Sequence, residues 1–170
     1  GSVFKIISYA GVLDRGLARL EDTINCDPDQ KALANLNIHD HVSGPVTVAQ
    51  AFIRSSNRGA YLLSRRLGST GFLGYVRDFG FGQKTGIPLT GEVAGQVLPH
   101  KSWDMLTWSR MAIGHSIAVT PLQMAMAVSA IITTGLAYAV WVMLRRKMPV
   151  MRWRAASQAG TASRWRREAR

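Results

Sequence analysis

A mainly helical chain is what the sequence predicts. Apolar residues recur at helical spacing near its start, again in its middle, and after a Thr-Pro pair in its last third. Phe4, Ile7, Ala10, Gly11, Leu13 and Leu17 form a nearly continuous stripe, which predicts a helix over 4–20. Residues 25–37, with Asp27-Pro28-Asp29 among them, are polar and turn-rich and read as loop. Gly44-Pro45 makes a turn, and Thr47 is placed to cap a helix over 48–54. Tyr61, Leu62, Leu63 and Leu67 carry a helix over 57–67; Gly68 suits its C-terminal end, and Thr70 suits the start of another running to Phe79. Residues 80–99 are punctuated by glycine and proline and read as loop. Thr120-Pro121 pairs an N-cap with proline at the first helical position, so a helix over 121–132 is expected, closed by a break at Thr133-Thr134-Gly135.

Composition narrows the possibilities. A chain of 170 residues is one domain's worth or less, and a hydrophobic fraction of 47% supports a buried core and argues against wholesale disorder. The lone cysteine, Cys26, excludes an internal disulfide and reads as structural. The net charge of +11 suggests nucleic acid until its distribution is considered. Residues 136–170 hold nine Lys and Arg against one Glu, a net of +8, so the remainder is close to balanced. The chain does not begin with Met and shows no signal peptide at its start, and it reads as a fragment. Residues 111–144 contain no charged side chain, and Arg145-Arg146-Lys147 would anchor a membrane span there; Gly114, His115, Pro121 and Gln123 weigh against it.

Four segments carry more specific information. They are Ser2-Val3-Phe4-Lys5; Ser55-Ser56-Asn57; the run from Phe79 to Leu89 (Phe-Gly-Phe-Gly-Gln-Lys-Thr-Gly-Ile-Pro-Leu) with Gly91-Glu92; and the run from Ile113 to Ala125 (Ile-Gly-His-Ser-Ile-Ala-Val-Thr-Pro-Leu-Gln-Met-Ala). Singly, the short ones prove little: Ser2 and Lys5 read as a solvated helix turn, and Ser55 and Asn57 suit helix caps. In this order and spacing, over about residues 1–130, they resemble the transpeptidase domain of class B penicillin-binding proteins, and lean toward the division-type branch. The resemblance implies a mainly α fragment of the α/β serine β-lactamase/penicillin-binding transpeptidase fold, with the central sheet largely missing. It divides the chain into a partial transpeptidase domain, 1–132, and a divergent basic tail, 133–170, for which a reading-frame change near Ile132, or disorder, is the expected origin. It also favours a buried core helix over a membrane span in 111–144.

The resemblance also implies site roles. Ser2 is the acylated nucleophile, and Lys5, on the same helix face at i+3, can reach its hydroxyl. A serine hydroxyl needs a base to take its proton, and a lysine can serve only if its pKa is lowered. Ser55 relays the proton between Lys5 and the leaving amine, and Asn57 holds Lys5 and binds the substrate's amide carbonyl. Lys84-Thr85-Gly86 imitates the family's third catalytic motif but lies in a loop upstream of the Thr-Pro-Leu-Gln helix, so it is not assigned to catalysis. His39-Asp40-His41 is a poor ligand set and reads as surface loop, and His115 is expected to be buried and hydrogen-bonded. No cofactor or metal is implied.

The implied function is peptidoglycan D,D-transpeptidation, with stem peptides and β-lactams as ligands. The family's oxyanion hole uses the Ser2 N–H and a second N–H on a strand this chain lacks, so weak or no activity is expected of the chain alone. Partners are division or elongation complex proteins and not nucleic acid. The location is the bacterial inner membrane, with the catalytic domain facing the periplasm in a longer parent. Two alternatives stay open: a β-lactamase or β-lactam sensor relative, and a non-catalytic basic protein whose Arg/Trp tail binds lipid or nucleic acid.

Overall fold

Ser2–Phe4 forms one 3-10 turn that leads directly into α1, Lys5–Asp14, in a computed structural model that describes residues 1–88 and 90–147. The helix stops well short of Leu20. Gly16 sits at φ +61, the Leu17 N–H donates to the Val12 carbonyl at 3.0 Å and the Gly16 N–H to Leu13 at 3.0 Å. This is the left-handed glycine ending that satisfies a helix's last carbonyls, and it overrides the apolar spacing that continues to Leu17. β1, Thr23–Asn25, then pairs antiparallel with β2, Pro45–Thr47, with Ile24 opposite Val46.

Thr47 closes a capping box with Gln50 and starts α2, Val48–Ile53, as its sequence position predicts. α3, Asn57–Asp78, follows, and Gly68 at φ 71, ψ 162 divides it where the sequence placed a boundary. β3, Gln96–Val97, pairs antiparallel with β4, Ile117–Ala118. Between them lies α4, Met105–Ala112, which the sequence reading did not anticipate; the Asp104 side chain caps it by accepting from the Thr107 N–H at 2.6 Å.

The chain divides into two compact units, Gly1–Ala127 and Val128–Arg170. In the first, α1 packs along α3 between two apolar clusters. Phe4 and Ile7 point into one, with Tyr61, Phe72, Phe81 and Met111. Tyr9 and Val12 point into the other, with Ile24, Cys26, Val48 and Leu63. The Phe4 ring lies 5.1 Å from that of Phe81 and 6.5 Å from that of Phe72. Burying a side chain of this size contributes about 1.5–3 kcal/mol, so Phe4 pins the segment that carries Ser2 and Lys5. The strands form two two-stranded ladders and no larger sheet among the described residues, as the fragment reading expects.

α5, Pro121–Lys147, begins on the expected Thr-Pro pair but does not end at Ile132. Within the second unit the expected break at 133–135 is helical, and the Thr134 hydroxyl donates to the Ala130 carbonyl at 2.8 Å. That bond to the preceding turn lets a residue with poor helix propensity sit inside the helix. Among the described residues no helix is long and apolar enough to cross a membrane. The tail expected beyond residue 132 falls, from 148 onward, outside the described residues.

Candidate active site

The first turn is fixed by backbone contacts from both sides. The Gly1 nitrogen donates to the Gly114 carbonyl at 2.8 Å, the Phe4 N–H returns to the Gly1 carbonyl at 2.9 Å, and the Ser8 hydroxyl donates to the Ala112 carbonyl at 3.0 Å. Gly114, at φ +83, is needed there because a Cβ would stand 2.2 Å from the Gly1 carbonyl oxygen. Ser2 emerges from this turn exposed, and its hydroxyl has no hydrogen-bond partner among the described residues.

Lys5, one turn further on, is 2% exposed. Its ammonium donates to the Ser55 carbonyl and, at 3.0 Å, to the Ser55 hydroxyl. Two of its three N–H donors are thereby occupied and one is left over. Burial pulls the Lys5 pKa below the ordinary lysine value, and the negative charge of Asp40 opposes part of that fall. Of the sequence-predicted residues, Ser55 is bonded to this buried cation, and Ser2 lies three residues before it in the 3-10 turn with no hydrogen bond to it.

Ser55 is held in an uncommon backbone conformation. It follows α2 at φ +54; its N–H donates to Phe52 at 2.9 Å, and the Ser56 N–H donates to Ala51 at 2.8 Å. These are the two bonds that end α1 at Gly16, but here the left-handed position is filled by serine. A side chain at such a site costs roughly 1–2 kcal/mol, which makes Ser55 a strained residue with its hydroxyl on Lys5.

Three readings need correction. Asn57 does not hold Lys5: it is the first residue of α3, its side-chain amide donates to the His39 carbonyl at 2.7 Å, and both protein partners of the Lys5 ammonium belong to Ser55. The cap of α3 is neither Ser55 nor Asn57 but Ser56, whose hydroxyl accepts from the Gly59 N–H at 2.9 Å. His115 is exposed rather than buried, and only its backbone is engaged, through an N–H bond to Arg110 at 2.8 Å.

Asp40, read from sequence as an ordinary loop residue, is the anchor behind this turn. Its side chain is fully buried and accepts from the Ser56 hydroxyl at 2.6 Å, the Arg58 N–H at 2.7 Å and the Val42 N–H at 3.0 Å. Burial opposes its ionisation, but these bonds and the Arg58 guanidinium outweigh it and hold the carboxyl below the usual aspartate range. The Val42 bond is a local turn two residues on, but the Ser56 and Arg58 donors lie 16 and 18 residues away, at the start of α3, and no local pattern marks them. Cys26, fully buried beside the Ser56 hydroxyl, is structural as expected, and burial raises its thiol pKa.

The remaining motifs serve the frame. Glu92 accepts from the Thr85 N–H and hydroxyl, both at 2.5 Å, which ties Lys84-Thr85-Gly86 into a loop and not onto a strand. Gln123 forms a capping box with Thr120 and donates to the carbonyls of Gln83, at 2.7 Å, and Ala94, at 2.8 Å. The Thr-Pro-Leu-Gln segment therefore starts α5 and holds the preceding loop at once. A cavity of about 380 Å³ between the end of α3 and β3 is lined by Arg77, Phe81 and Leu98 among others, and by none of Ser2, Lys5, Ser55 or Asn57.

By the arrangement of its helices the chain falls in the fold class of the transpeptidase domains of penicillin-binding proteins of known structure. More narrowly, it belongs to the penicillin-binding protein transpeptidase family, whose domain description matches residues 1–160. It is 35% identical over 138 residues to penicillin-binding protein PbpB of Mycobacterium tuberculosis, covering 79% of this chain and 20% of that protein. Stage V sporulation protein D of Bacillus subtilis is 34% identical over 147 residues, covering 84% of this chain and 22% of the relative. Among solved structures, penicillin-binding protein 3 of Mycobacterium tuberculosis with aztreonam superposes with a TM-score of 0.66 at 34% identity, over 73% of this chain and 28% of that one. The chain spans about a fifth of the length of these curated relatives.

Proposed function

We propose that this chain carries the nucleophile-bearing part of a peptidoglycan D,D-transpeptidase that is also acylated by β-lactams. The observation that carries the reading is the buried Lys5 ammonium bonded to the Ser55 hydroxyl, one helical turn from the unengaged Ser2. Ser2 Oγ would attack the carbonyl of the D-Ala-D-Ala peptide bond and pass its proton to neutral Lys5. Ser55 would relay that proton to the departing amine of D-Ala, and the acyl group on Ser2 would then pass to an amine of a neighbouring strand. The depressed pKa of Lys5 supports a base role by raising its neutral fraction. One hydrogen of the Asn57 amide goes to His39, which leaves the second for the substrate's amide carbonyl.

The relatives' names support the substrate class: one is a probable peptidoglycan D,D-transpeptidase FtsI of Caulobacter vibrioides, 30% identical over 137 residues. A second oxyanion donor opposite Ser2 is not carried by the Lys84-Thr85-Gly86 loop. Lack of one such donor lowers rates about 10²–10³-fold, so slow acylation is expected of the chain by itself. We place the parent protein at the inner membrane, facing the periplasm, in a division or elongation assembly.

The test is intact-mass analysis after incubation with benzylpenicillin, on wild type and Ser2→Ala with folding checked by circular dichroism. A stable adduct lost in Ser2→Ala is the expected result. No adduct on a folded chain would overturn the reading for this chain, and rapid hydrolysis of the antibiotic would favour a β-lactamase instead.

A further inference from the structure

Three consecutive residues of the Ser55 turn are tied to one loop. Ser56 donates to Asp40, the Asn57 amide donates to the His39 carbonyl, and Arg58 donates to Asp40 through its N–H. The Arg58 guanidinium adds bonds to the carbonyls of Ile38 at 3.1 Å, Cys26 at 3.0 Å and Val42 at 3.3 Å. Ser55 itself is strained and lies between this clamp and Lys5. A strained residue persists only where its surroundings over-determine it, and the loop at 38–42 supplies that constraint.

We propose that Asp40 is a positioning residue of the acyl-transfer site, anchoring the Ser55–Asn57 turn from behind and supplying the negative charge that acts on the buried Lys5 ammonium. The proposal rests on the reading of Lys5 and Ser55 given above. Among the described residues Asp40 makes no hydrogen bond to Ser2 or Lys5; it acts through Ser56 on where Ser55 sits, and through its field on Lys5. The groups facing Asp40 are the Arg58 guanidinium, the His41 imidazole at 3.8 Å and the Ser56 hydroxyl, and its charge also reaches the Tyr9 phenol and the Cys26 thiol. Facing Lys5 are the Ser55 hydroxyl and carbonyl, and Asp40 is the charged group that acts on it. The Asp40 charge opposes part of the fall in the Lys5 pKa that burial causes.

The experiment uses the full chain with carbon-13 lysine, the Lys5 signal being assigned by its loss in Lys5→Met. The Lys5 titration midpoint is compared in wild type, Asp40→Asn and Asp27→Asn, the last removing a carboxylate that is bound instead to Ser43 and Gly44. The expected result is a midpoint at lower pH in Asp40→Asn and an unmoved one in Asp27→Asn. A folded Asp40→Asn chain with the wild-type midpoint would overturn the proposal. If Asp40→Asn does not fold, the reciprocal measurement decides: the Asp40 carboxyl should titrate at higher pH in Lys5→Met than in wild type, and an unchanged midpoint overturns it. Benzylpenicillin acylation is followed in parallel. Absence of any adduct in wild type counts against the acyl-transfer reading but leaves the lysine titration to judge Asp40. Where the adduct forms, the rising limb of its rate against pH should move to lower pH in Asp40→Asn together with the Lys5 midpoint. A uniform loss of rate with the limb in place would show a purely structural residue and overturn the proposal.

Discussion

Replacing Ser55 with glycine and, separately, with alanine separates the strain at this position from its chemistry. Both variants remove the hydroxyl that Lys5 contacts at 3.0 Å, and both keep the carbonyl that is its second partner. They differ in the Cβ, which at φ +54 is placed against the backbone. The left-handed conformation costs an L-residue about 1–2 kcal/mol, and glycine gives back about 0.4–1 kcal/mol of that through its greater freedom in the unfolded chain. Ser55→Gly should therefore be more stable than Ser55→Ala by roughly 1 kcal/mol. Urea unfolding would show this as a higher midpoint with unchanged slope, equivalent to about 2–4 °C in melting temperature for a chain of this size. Benzylpenicillin acylation should be lost in both, because neither retains the relay. Two results would refute the reasoning: alanine equal to glycine in stability, which would deny the strain, or full acylation in either, which would deny the hydroxyl its role.

Three further outcomes follow from the same contacts. Gly114→Ala puts a Cβ 2.2 Å from the Gly1 carbonyl oxygen and 2.8 Å from the Phe4 Cβ, and should destabilise the fold by about 2–3 kcal/mol in urea unfolding. Gln123→Ala removes a cap and leaves the Gln83 and Ala94 carbonyls unpaired, a loss of about 2 kcal/mol, with faster amide exchange through the loop between them. The folded pKa of Asp40 is depressed, so its contribution is complete above the unfolded aspartate value near pH 4 and is lost as pH falls through the lower folded value. Stability measured from pH 7 to pH 2 should fall less steeply below about pH 4 in Asp40→Asn than in wild type.

What could be read from the sequence was the part encoded by neighbours. Thr47 and Thr120 begin helices because a hydroxyl three residues before a glutamine meets its own backbone, and that pattern is local. The Asp104 cap of α4 is equally local, with Thr107 three residues on, so that helix was legible and overlooked. The end of α1 was misplaced because apolar spacing outlasted it, whereas Gly16 marked the true stop. At the site, Ser2, Lys5 and Ser55 were visible as spaced motifs, but the carboxylate bonded behind the Ser55 turn was not. Asp40 acts across 16 residues to Ser56 and 18 to Arg58, a separation that carries no periodicity. The same limit explains Asn57: its type suited a hand on Lys5, yet the position of the 38–42 loop gave its amide to His39 instead. Ser55 shows the complementary case, in which local rules are broken on purpose. The ending of α2 calls for the glycine that ends α1, and the serine placed there trades backbone comfort for a hydroxyl on a buried lysine. A residue that violates a local preference while bonded to a buried cation is a stronger sign of chemistry than the three-letter motif around it, and here it became visible only once φ at Ser55 and the Lys5 contact were seen together.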